Sequence, residues 1–315
     1  MRSAFVRTAV DSESERTSGR DGVAGESPEA LVTASSGSRA PGESTYALVV
    51  AYDGTDFAGY AKQSDPHQRT VQEELEHALA TALRLPAGAL TTVVAGRTDA
   101  GVHATGQVVS FSLPACGIPP DTARLLRSLN ALTPRDISVR AVYAVPPGFS
   151  ARFDAVSREY RYRIATAATP PLFMQRYAWH LPGFGADPVC RAQLESAATS
   201  LLGEHDFSSF AVTASLAGKN PVRTLLSINF VDTQHLGEPV TEIRIVGTAF
   251  LHSMVRVIVG TLADIYAGRI APDVLPTILA ACDRNAAGQT APACGLTLWG
   301  VNYSPFNSAP EEICE

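Results

Sequence analysis

Residues 93–113 read VVAGRTDAGVHATGQVVSFSL, and this stretch predicts a strand, a loop and a second strand. An apolar run at residues 93–95 leads in, and the apolar residues at 109, 111 and 113 alternate with polar ones, as is typical of a half-buried strand. Asp99 therefore lies on a strand-to-strand loop, between Gly96 and Gly101.

The residues around Asp99 suit a catalytic loop and a plain turn equally well. Glycine permits backbone conformations and close approaches that a side chain forbids. Arg97 places a planar cation two residues from the carboxylate, so Asp99 resembles a nucleophile with its own counter-charge. However, Asp and Gly also dominate turns, and Asp99 is equally explained as a residue that caps its own loop.

The charge of the chain lies mainly in its ends. The formal net charge is −6; residues 1–44 hold five arginines and seven acids, and Glu311, Glu312 and Glu315 follow at the other end. The body is near neutral, and its cations are arginines apart from Lys62 and Lys219. Because arginine binds phosphate bidentately and stacks on bases, an acidic total is compatible with an RNA partner.

Length and composition indicate a globular protein of about two domains. The chain has 315 residues, of which 45% are hydrophobic, and no window approaches the roughly 20 apolar residues of a membrane span. Residues 1–44 are rich in Ser, Gly, Glu and Arg, which predicts a disordered tail without a signal peptide. The five scattered cysteines form no Cys-x-x-Cys pair, which predicts reduced thiols in a cytoplasmic protein and no zinc site.

Periodicity between residues 46 and 143 predicts the order β-α-β-β-α-β. A strand covers residues 46–52, and the capping box TVQE at 70–73 opens a helix with apolar residues at 71, 75, 79 and 83. The strands around Asp99 follow, then a helix that starts at 119–121 and a strand at 137–143. This is the order of a ferredoxin-like sandwich, whose antiparallel sheet carries helices on one face and leaves the other free for a partner.

The second half repeats this arrangement with insertions. Strands are predicted at residues 158–164, 222–230, 240–246 and 296–303, and helices at 188–202, 250–266 and 272–282. We therefore expect an α+β protein of two tandem ferredoxin-like halves whose sheets form a central cleft, a common place for an active site. The expected parts are a tail at 1–44, an N-terminal domain at 45–149 with the Asp99 loop, a C-terminal domain at 150–305 and an acidic tail at 306–315.

Three stretches of the second half carry more polarity than packing needs. Residues 158–163 alternate aromatic and charged side chains, which predicts Tyr160 and Tyr162 on one strand face and the arginines on the other. Tyr162 is expected in the core, whereas Tyr160 equally fits a ring that stacks on a base. Residues 203–210 indicate a helix end and a loop that binds its own backbone. Arg256 lies in an otherwise apolar helix, so it needs a carboxylate partner, and Asp99 is the natural one.

The motif GRTDAGVH at residues 96–103 closely resembles the catalytic motif of the TruA family of tRNA pseudouridine synthases. Further family blocks stand in the same order at residues 52–57 (YDGTDF), 158–162 (RxYxY), 203–207 (GxHDF), 250–256 (FLxxMVR) and 295–298 (GLxL). The resemblance covers residues 46–303. Two departures are Tyr60, where the family usually has Trp after the glycine that corresponds to Gly59, and Gln63, one place later than in many members.

The resemblance implies isomerisation of uridine to pseudouridine at positions 38 to 40 of the tRNA anticodon stem-loop, by a homodimer that needs no cofactor and no metal. Asp99 would be the nucleophile or the carboxylate that assists glycosidic cleavage, with attack at C1′ and at C6 both open. Arg97 would help to displace the base and occupy its place. Tyr160 would pack on the flipped uracil and is the candidate to remove the C5 proton, and Arg256 would pair with Asp99 and keep it ionised.

Two other functions stay open on the sequence. One is a metal-dependent hydrolase, whose candidate ligands are Asp99, His103, His205, Asp206 and His252. No His-x-x-x-His spacing in the sequence supports it. The other is a non-catalytic RNA-binding module built on the ferredoxin-like halves. It lacks the aromatic-rich strands of such modules and leaves Asp99 between its glycines unexplained.

Overall fold

The computed structural model describes residues 43–65, 67–114, 120–304 and 306–310. The strands in these ranges are β1 (Glu43–Tyr52), β2 (Val93–Val94), β3 (His103–Pro114), β4 (Ile137–Val145), β5 (Ala155–Ala165), β6 (Trp179–His180), β7 (Gly203–Asp206), β8 (Val222–His235), β9 (Glu238–Gly247) and β10 (Leu296–Tyr303). The helices are α1 (Val71–Leu83), α2 (Thr122–Leu132), α3 (Pro188–Thr199), α4 (Met254–Tyr266) and α5 (Leu275–Ala281). Residues 1–42 of the predicted tail, Cys116 and Cys314 lie outside the described residues.

All ten described strands belong to one sheet, in the order β4-β1-β3-β10-β5-β9-β8-β7, with β2 beside β3 and β6 beside β5. Its pairs are antiparallel except β3 with β10 and β5 with β6. With five helices in the described chain, this confirms the α+β class. The sequence predicted two separate sheets; instead β10 joins the halves, because it pairs antiparallel with β5 and parallel with β3.

Gly106 allows β3 and β10 to meet. A Cβ at this position would lie 2.5 Å from the carbonyl oxygens of both Trp299 and Ser308, closer than packed atoms approach, so the junction requires glycine. Thr105 Oγ1 donates to Trp299 O at 3.0 Å, and Ser308 Oγ donates to Gly106 O at 2.6 Å. Part of the predicted C-terminal tail, residues 306–310, is thus packed against this junction.

The central strands are buried on both faces. Residues 45–50 of β1 are all buried, although the prediction left one face of the sheet free. The segment that leads from β4 to β5 covers that face: Ala151 N donates to Ser110 Oγ at 3.0 Å, and Gly148 N donates to Thr45 Oγ1 at 3.3 Å. An open face remains on the outer strand β4, where residues 137–140 alternate buried and exposed.

Polar side chains begin three of the helices. Thr70 accepts from Glu73 N at the start of α1, as the capping box predicted. Asp121 and Asp187 cap α2 and α3 in the same way. Helix α4 begins at Met254, four residues later than predicted, and residues 203–206 form strand β7 where a helix end and loop were expected. This short polar strand pairs with β8 and shows no apolar alternation.

Helix α4 is the most deeply placed element of the second half, and residues 257–264 are all buried. Gly260 lets the chain at 288–291 lie directly against the helix, because a Cβ there would lie only 1.9 Å from Gln289 O. The Asp264 carboxylate accepts from Gln289 N at 3.0 Å, and Ala291 N donates to Arg256 O at 3.0 Å. Both ends of the 288–291 segment are therefore fixed to α4.

Gly260→Ala should lower the free energy of unfolding by about 1–3 kcal/mol, because the added methyl collides with the Gln289 carbonyl and outweighs the roughly 1 kcal/mol of helix propensity that alanine gains. Thermal unfolding of the full chain measures this. Gly96→Ala is the control, since its Cβ would meet Tyr160 Oη at an ordinary 3.5 Å. Equal melting temperatures for the two variants would contradict the close packing at Gly260.

Candidate active site

The Asp99 loop connects β2 to β3. Gly101 has φ +76°, a left-handed conformation that favours glycine, and Val102 N donates to Asp99 O at 3.1 Å to close a tight turn. Gly96 has no positive φ, and a Cβ there would make only an ordinary contact with Tyr160 Oη. The expected need for glycine is thus confirmed at Gly101 and not at Gly96.

The segment at residues 52–60 is hydrogen-bonded to the Asp99 loop at Thr98 and at His103. Tyr52 Oη lies 2.7 Å from Thr98 Oγ1, and Tyr60 N donates to Thr98 O at 3.1 Å. At the far end, Gly54 N donates to His103 Nδ1 at 3.1 Å. Tyr60 is 1% exposed, so the departure from the family's usual Trp changes core packing under the loop.

The Asp99 carboxylate meets the start of α4. Its Oδ2 accepts from Ser253 Oγ at 2.7 Å and from Arg256 Nη1 at 3.0 Å. Its Oδ1 lies 3.3 Å from Nε2 of His252, whose side chain is half exposed. The predicted Asp99–Arg256 pair is confirmed, and the carboxylate binds across the fold instead of capping its own loop. Sequence reasoning missed Ser253, because the predicted helix at 250–266 placed this serine inside the helix, whereas it immediately precedes α4.

Arg256 is fixed at both ends of its guanidinium. While Nη1 binds Asp99, Nε donates to Ala291 O at 2.8 Å. Ala291 belongs to the 288–291 segment, which lies directly against α4 because residue 260 is a glycine. Only 18% of the Arg256 side chain and 22% of the Asp99 side chain are exposed, so the pair is weakly screened by solvent. The backbone around α4 thereby determines where the Asp99 carboxylate points.

Arg97 does not serve as the counter-charge of Asp99. Its side chain is exposed, and within the described ranges it makes no hydrogen bond or ion pair. The interpretation of Arg97 as the partner of Asp99 is therefore wrong, because Arg256 reaches the carboxylate from α4. Arg97 is left as an unengaged cation two residues from it.

Tyr160 lies under the loop with its ring largely buried. It is 7% exposed, and its ring meets Phe250 edge-on with centroids 4.9 Å apart. Burial raises the pKa of Tyr160, and the nearby Asp99 adds to this effect, so the hydroxyl is protonated at neutral pH. Tyr162 is 0% exposed and donates to Pro292 O at 2.8 Å, which confirms its core role.

Arg158 lies on the same face of β5 as Tyr160 and points to the loop. Its guanidinium donates to the carbonyls of Ala95 at 3.0 Å, Arg152 at 2.7 Å and Thr248 at 2.6 Å. The prediction that all arginines of this stretch lie opposite the tyrosines is therefore wrong for Arg158. Burial lowers the pKa of Arg158, although three carbonyl acceptors still satisfy its donors.

An exposed aromatic group lies beside the start of the Asp99 loop. Arg158 binds the carbonyls of Ala95 and Arg152 through one nitrogen, so these two backbone segments are adjacent. Phe153 follows and is 80% exposed, with the Arg152 guanidinium 5.4 Å from its ring centroid. Together with Arg97, this turn offers cations and an open ring face to solvent.

Two of the three histidines proposed as metal ligands, His103 and His205, are engaged elsewhere. His103 accepts at Nδ1 from Gly54, and its Nε2 lies 2.9 Å from Arg176 O. Burial lowers the pKa of His103, so it is neutral at neutral pH. His205 Nε2 binds Leu202 O at 2.8 Å, as expected of a loop that binds its own backbone. Across the described part of the chain, no three His, Cys, Asp or Glu residues are grouped to hold a metal.

The Asp206 carboxylate likewise serves the backbone, since it accepts from Ser208 N at 2.8 Å. Of the five candidate ligands, the hydrogen bonds and ion pairs bring only His252 to Asp99.

In the described ranges, none of the helices has the length and apolar character of a membrane span.

A loop carboxylate held by a mostly buried arginine, with a protonated tyrosine nearby, is an arrangement that suits nucleophilic or acid–base catalysis. Comparison with known proteins identifies the enzyme family. The family model for tRNA pseudouridine synthase matches residues 48–154 and 197–304. The chain belongs to this family and is an isomerase.

Individual relatives agree with the family match. The tRNA pseudouridine synthase A of Bacillus subtilis is 42% identical over 254 residues, which cover 81% of this chain and 97% of that protein. The Bacillus licheniformis protein of that name is 44% identical over the same shares. That of Moorella thermoacetica is 41% identical over 257 residues, or 81% and 98% of the two chains.

Asp99 and Arg256 should be energetically coupled. Asp99→Asn, Arg256→Met and the double variant should give a coupling of about 0.5–3 kcal/mol in urea unfolding, because each single change leaves a partly buried group without its partner. A second cycle of Asp99→Asn with Arg127→Met, an exposed arginine of α2, should be additive. Additive behaviour in the first cycle would contradict the pairing.

Proposed function

We propose that this chain isomerises uridine to pseudouridine at positions 38 to 40 of the tRNA anticodon stem-loop, with Asp99 as the catalytic nucleophile. Family membership supplies the reaction class. The observation that carries the role of Asp99 is its carboxylate in the GRTDAGVH loop, held at Oδ2 by two donors from α4 with Oδ1 toward solvent-accessible His252.

The reaction needs groups that this site contains. The C1′–N1 bond breaks and a C1′–C5 bond forms, while C5 loses a proton and N1 gains one, so no electrons pass to or from a cofactor. In one route an oxygen of Asp99 attacks C1′ and displaces N1, and C5 then displaces that oxygen as the C1′–C5 bond forms. In the other route the oxygen adds to C6 across the C5=C6 bond and is eliminated after the base has rejoined C1′ through C5. In both routes the nucleophile must be a carboxylate at a fixed position.

The exposed groups beside the loop suit a nucleic-acid substrate. Removal of a base from the stack leaves a space that a free cation near the site can occupy, and Arg97 is such a cation. Arg152 suits a phosphate, and Phe153 offers its ring face to an unpaired base. These features support RNA as the partner, although the chain as a whole is acidic.

We propose that Tyr160 contacts the displaced uracil. We assign it two roles: its ring, braced by Phe250, packs on the base, and its hydroxyl exchanges protons with it. Because the raised pKa keeps the hydroxyl protonated at rest, it becomes a base only after giving up its own proton. The detached uracil ring is a suitable acceptor for the Tyr160 proton, since N1 gains a proton while C5 loses one in the net reaction.

The two halves of the chain support a tandem ferredoxin-like arrangement, with domains at 45–149 and 150–305. In the first half the sheet order is β4-β1-β3-β2, and in the second β10-β5-β9-β8. When the short strands β6 and β7 and helix α5 are left out, both orders, counted along each half, are fourth, first, third, second strand, and both halves follow β-α-β-β-α-β. We also propose a cytoplasmic location, as the unpaired cysteines of the described chain suggest.

A homodimer completes the proposal. Exposed apolar side chains gather at one end of the second half, where Leu172 N and Phe173 N donate to the Glu238 carboxylate beside the β8–β9 turn. Leu172, Phe173 and Leu236 are 70%, 59% and 75% exposed. Exposed apolar groups that lie together commonly mark contacts with another protein chain.

Asp99→Asn should reduce pseudouridine formation to background, because the amide keeps the size of the side chain but removes its charge and most of its nucleophilicity. Affinity for tRNA should survive, since it comes mainly from phosphate contacts. Arg97→Ala should lower turnover strongly with a modest change in affinity. Tritium release from C5-labelled uridine, beside filter binding, measures both. Asp99→Asn turnover above about a tenth of wild type, a loss under ~1.4 kcal/mol, would exclude Asp99 as nucleophile.

Tyr160→Phe keeps the ring that packs on the base and removes the hydroxyl that exchanges protons. We expect tRNA affinity to stay within about a factor of two, while C5 tritium release falls by roughly 10²-fold or more, the usual contribution of a general base. Tyr162→Phe is the matched control for loss of a tyrosine hydroxyl on the same strand. Near-normal release from Tyr160→Phe would leave Tyr160 with a packing role alone.

A further inference from the structure

Ser253 combines two features that are unusual for a residue at the start of a helix. Its backbone is left-handed, with φ +59° and ψ +10°, and its side chain makes no capping hydrogen bond to α4. A serine at a helix start ordinarily has an extended backbone and caps its own helix. The left-handed conformation is costly for a residue with a Cβ, so some other contact must favour serine here.

The Ser253 hydroxyl is directed away from its own helix and toward the loop of the other half of the chain. It donates to Asp99 Oδ2 at 2.7 Å, the same oxygen that Arg256 Nη1 binds at 3.0 Å. Ser253 immediately precedes α4, and Arg256 lies in the first turn of that helix. Oδ2 thus receives two hydrogen bonds from the same end of one helix.

The other oxygen of the carboxylate has a different environment. In the described part of the chain, Oδ1 accepts no hydrogen bond, and Nε2 of His252 lies 3.3 Å from it. That side chain is half exposed, so an incoming substrate can displace it. Rotation about the last bond of an aspartate exchanges its two oxygens, and a single donor at Oδ2 restrains this rotation less than two donors do.

We propose that Ser253 is a positioning residue that acts with Arg256 to hold Asp99 through Oδ2, and thereby presents Oδ1 as the oxygen that forms the bond to uridine. The inference rests on the proposed function of Asp99. A lone pair of Oδ1 forms the C–O bond in the step described above, and Oδ2 keeps its two hydrogen bonds throughout. Misplacement of a reacting group by about 1 Å reduces rates by roughly 10²-fold, so a second restraint on the carboxylate has a measurable effect.

The left-handed backbone allows stability and positioning to be separated. Ser253→Gly removes the hydroxyl and also relieves the backbone strain, so its melting temperature should equal or exceed that of the wild type. Its single-turnover rate at saturating tRNA should nevertheless fall by at least about 10-fold, with an unchanged dissociation constant. Cys282→Gly, at an exposed position with φ +49°, relieves the same strain away from the site and should keep the wild-type rate.

Ser253→Asn supplies the rescue. Asparagine tolerates the left-handed conformation, and its amide can donate to Asp99, so its rate should recover to within about threefold of wild type. A wild-type rate for Ser253→Gly, or an Asn variant as slow as the Gly variant, would overturn the inference. So would a rate that falls only in step with a lower melting temperature, because that result would make Ser253 structural.

The same assays separate this inference from the proposed function. If Asp99→Asn is inactive while Ser253→Gly is fully active, the role of Ser253 is wrong and the role of Asp99 stands. If wild-type protein releases no tritium from tRNA, or if Asp99→Asn remains active, the proposed function itself fails.

Discussion

The contact between Asp99 and Arg256 joins residues 157 positions apart, and the arrangement of the rest of the molecule makes that contact possible. The aspartate lies on a loop of the first half and the arginine on a helix of the second. A pair of charges removed from water is favourable only where the geometry is good and further hydrogen bonds satisfy both partners. Arg256 has its second acceptor in Ala291 O, and Asp99 has its second donor in Ser253. The continuous sheet through β3 and β10 holds the two halves at the distance that this pair needs.

Close backbone approaches keep both partners in place. Gly106 lets β10 lie beside β3, and Gly260 lets the segment with Ala291 lie on α4. Two contacts hold the loop. Tyr52 of the first half is hydrogen-bonded to Thr98 within the loop, and Arg158 of the second half donates to Ala95 O at its start. Packed interiors transmit small displacements, so a change at a glycine distant from Asp99 reaches the carboxylate through these contacts. The conformation of the Asp99 loop therefore depends on contacts from both halves of the chain.

Much of this arrangement could be predicted from the sequence, because local rules governed it. Periodicity and capping residues predicted the β-α-β-β-α-β order, and the cost of a buried arginine predicted the Asp99–Arg256 pair. Tertiary contacts decided the rest. Strand β7 lacks apolar alternation, and the partners of β10 depend on how the halves meet. The contact of Ser253 with Asp99 could not be predicted, because the sequence placed Ser253 inside a helix that begins only at Met254. The error on Arg158 is different, since residues 158, 160 and 162 share one strand face by simple counting.

Three of the arginines near the loop show how one residue type can serve three purposes. Arg158 is buried and binds only carbonyl oxygens among its described contacts, so it fixes backbone. Arg256 is mostly buried and binds a carboxylate, so it fixes the reacting group. Arg97 is exposed and, in the described structure, unengaged, so it can move. An enzyme that must take a base out of an RNA stack needs an immobile nucleophile and a mobile cation close together. In the proposed mechanism, burial separates these requirements: Arg158 and Arg256 are held by their contacts, whereas the exposed Arg97 can enter the space that the displaced base leaves.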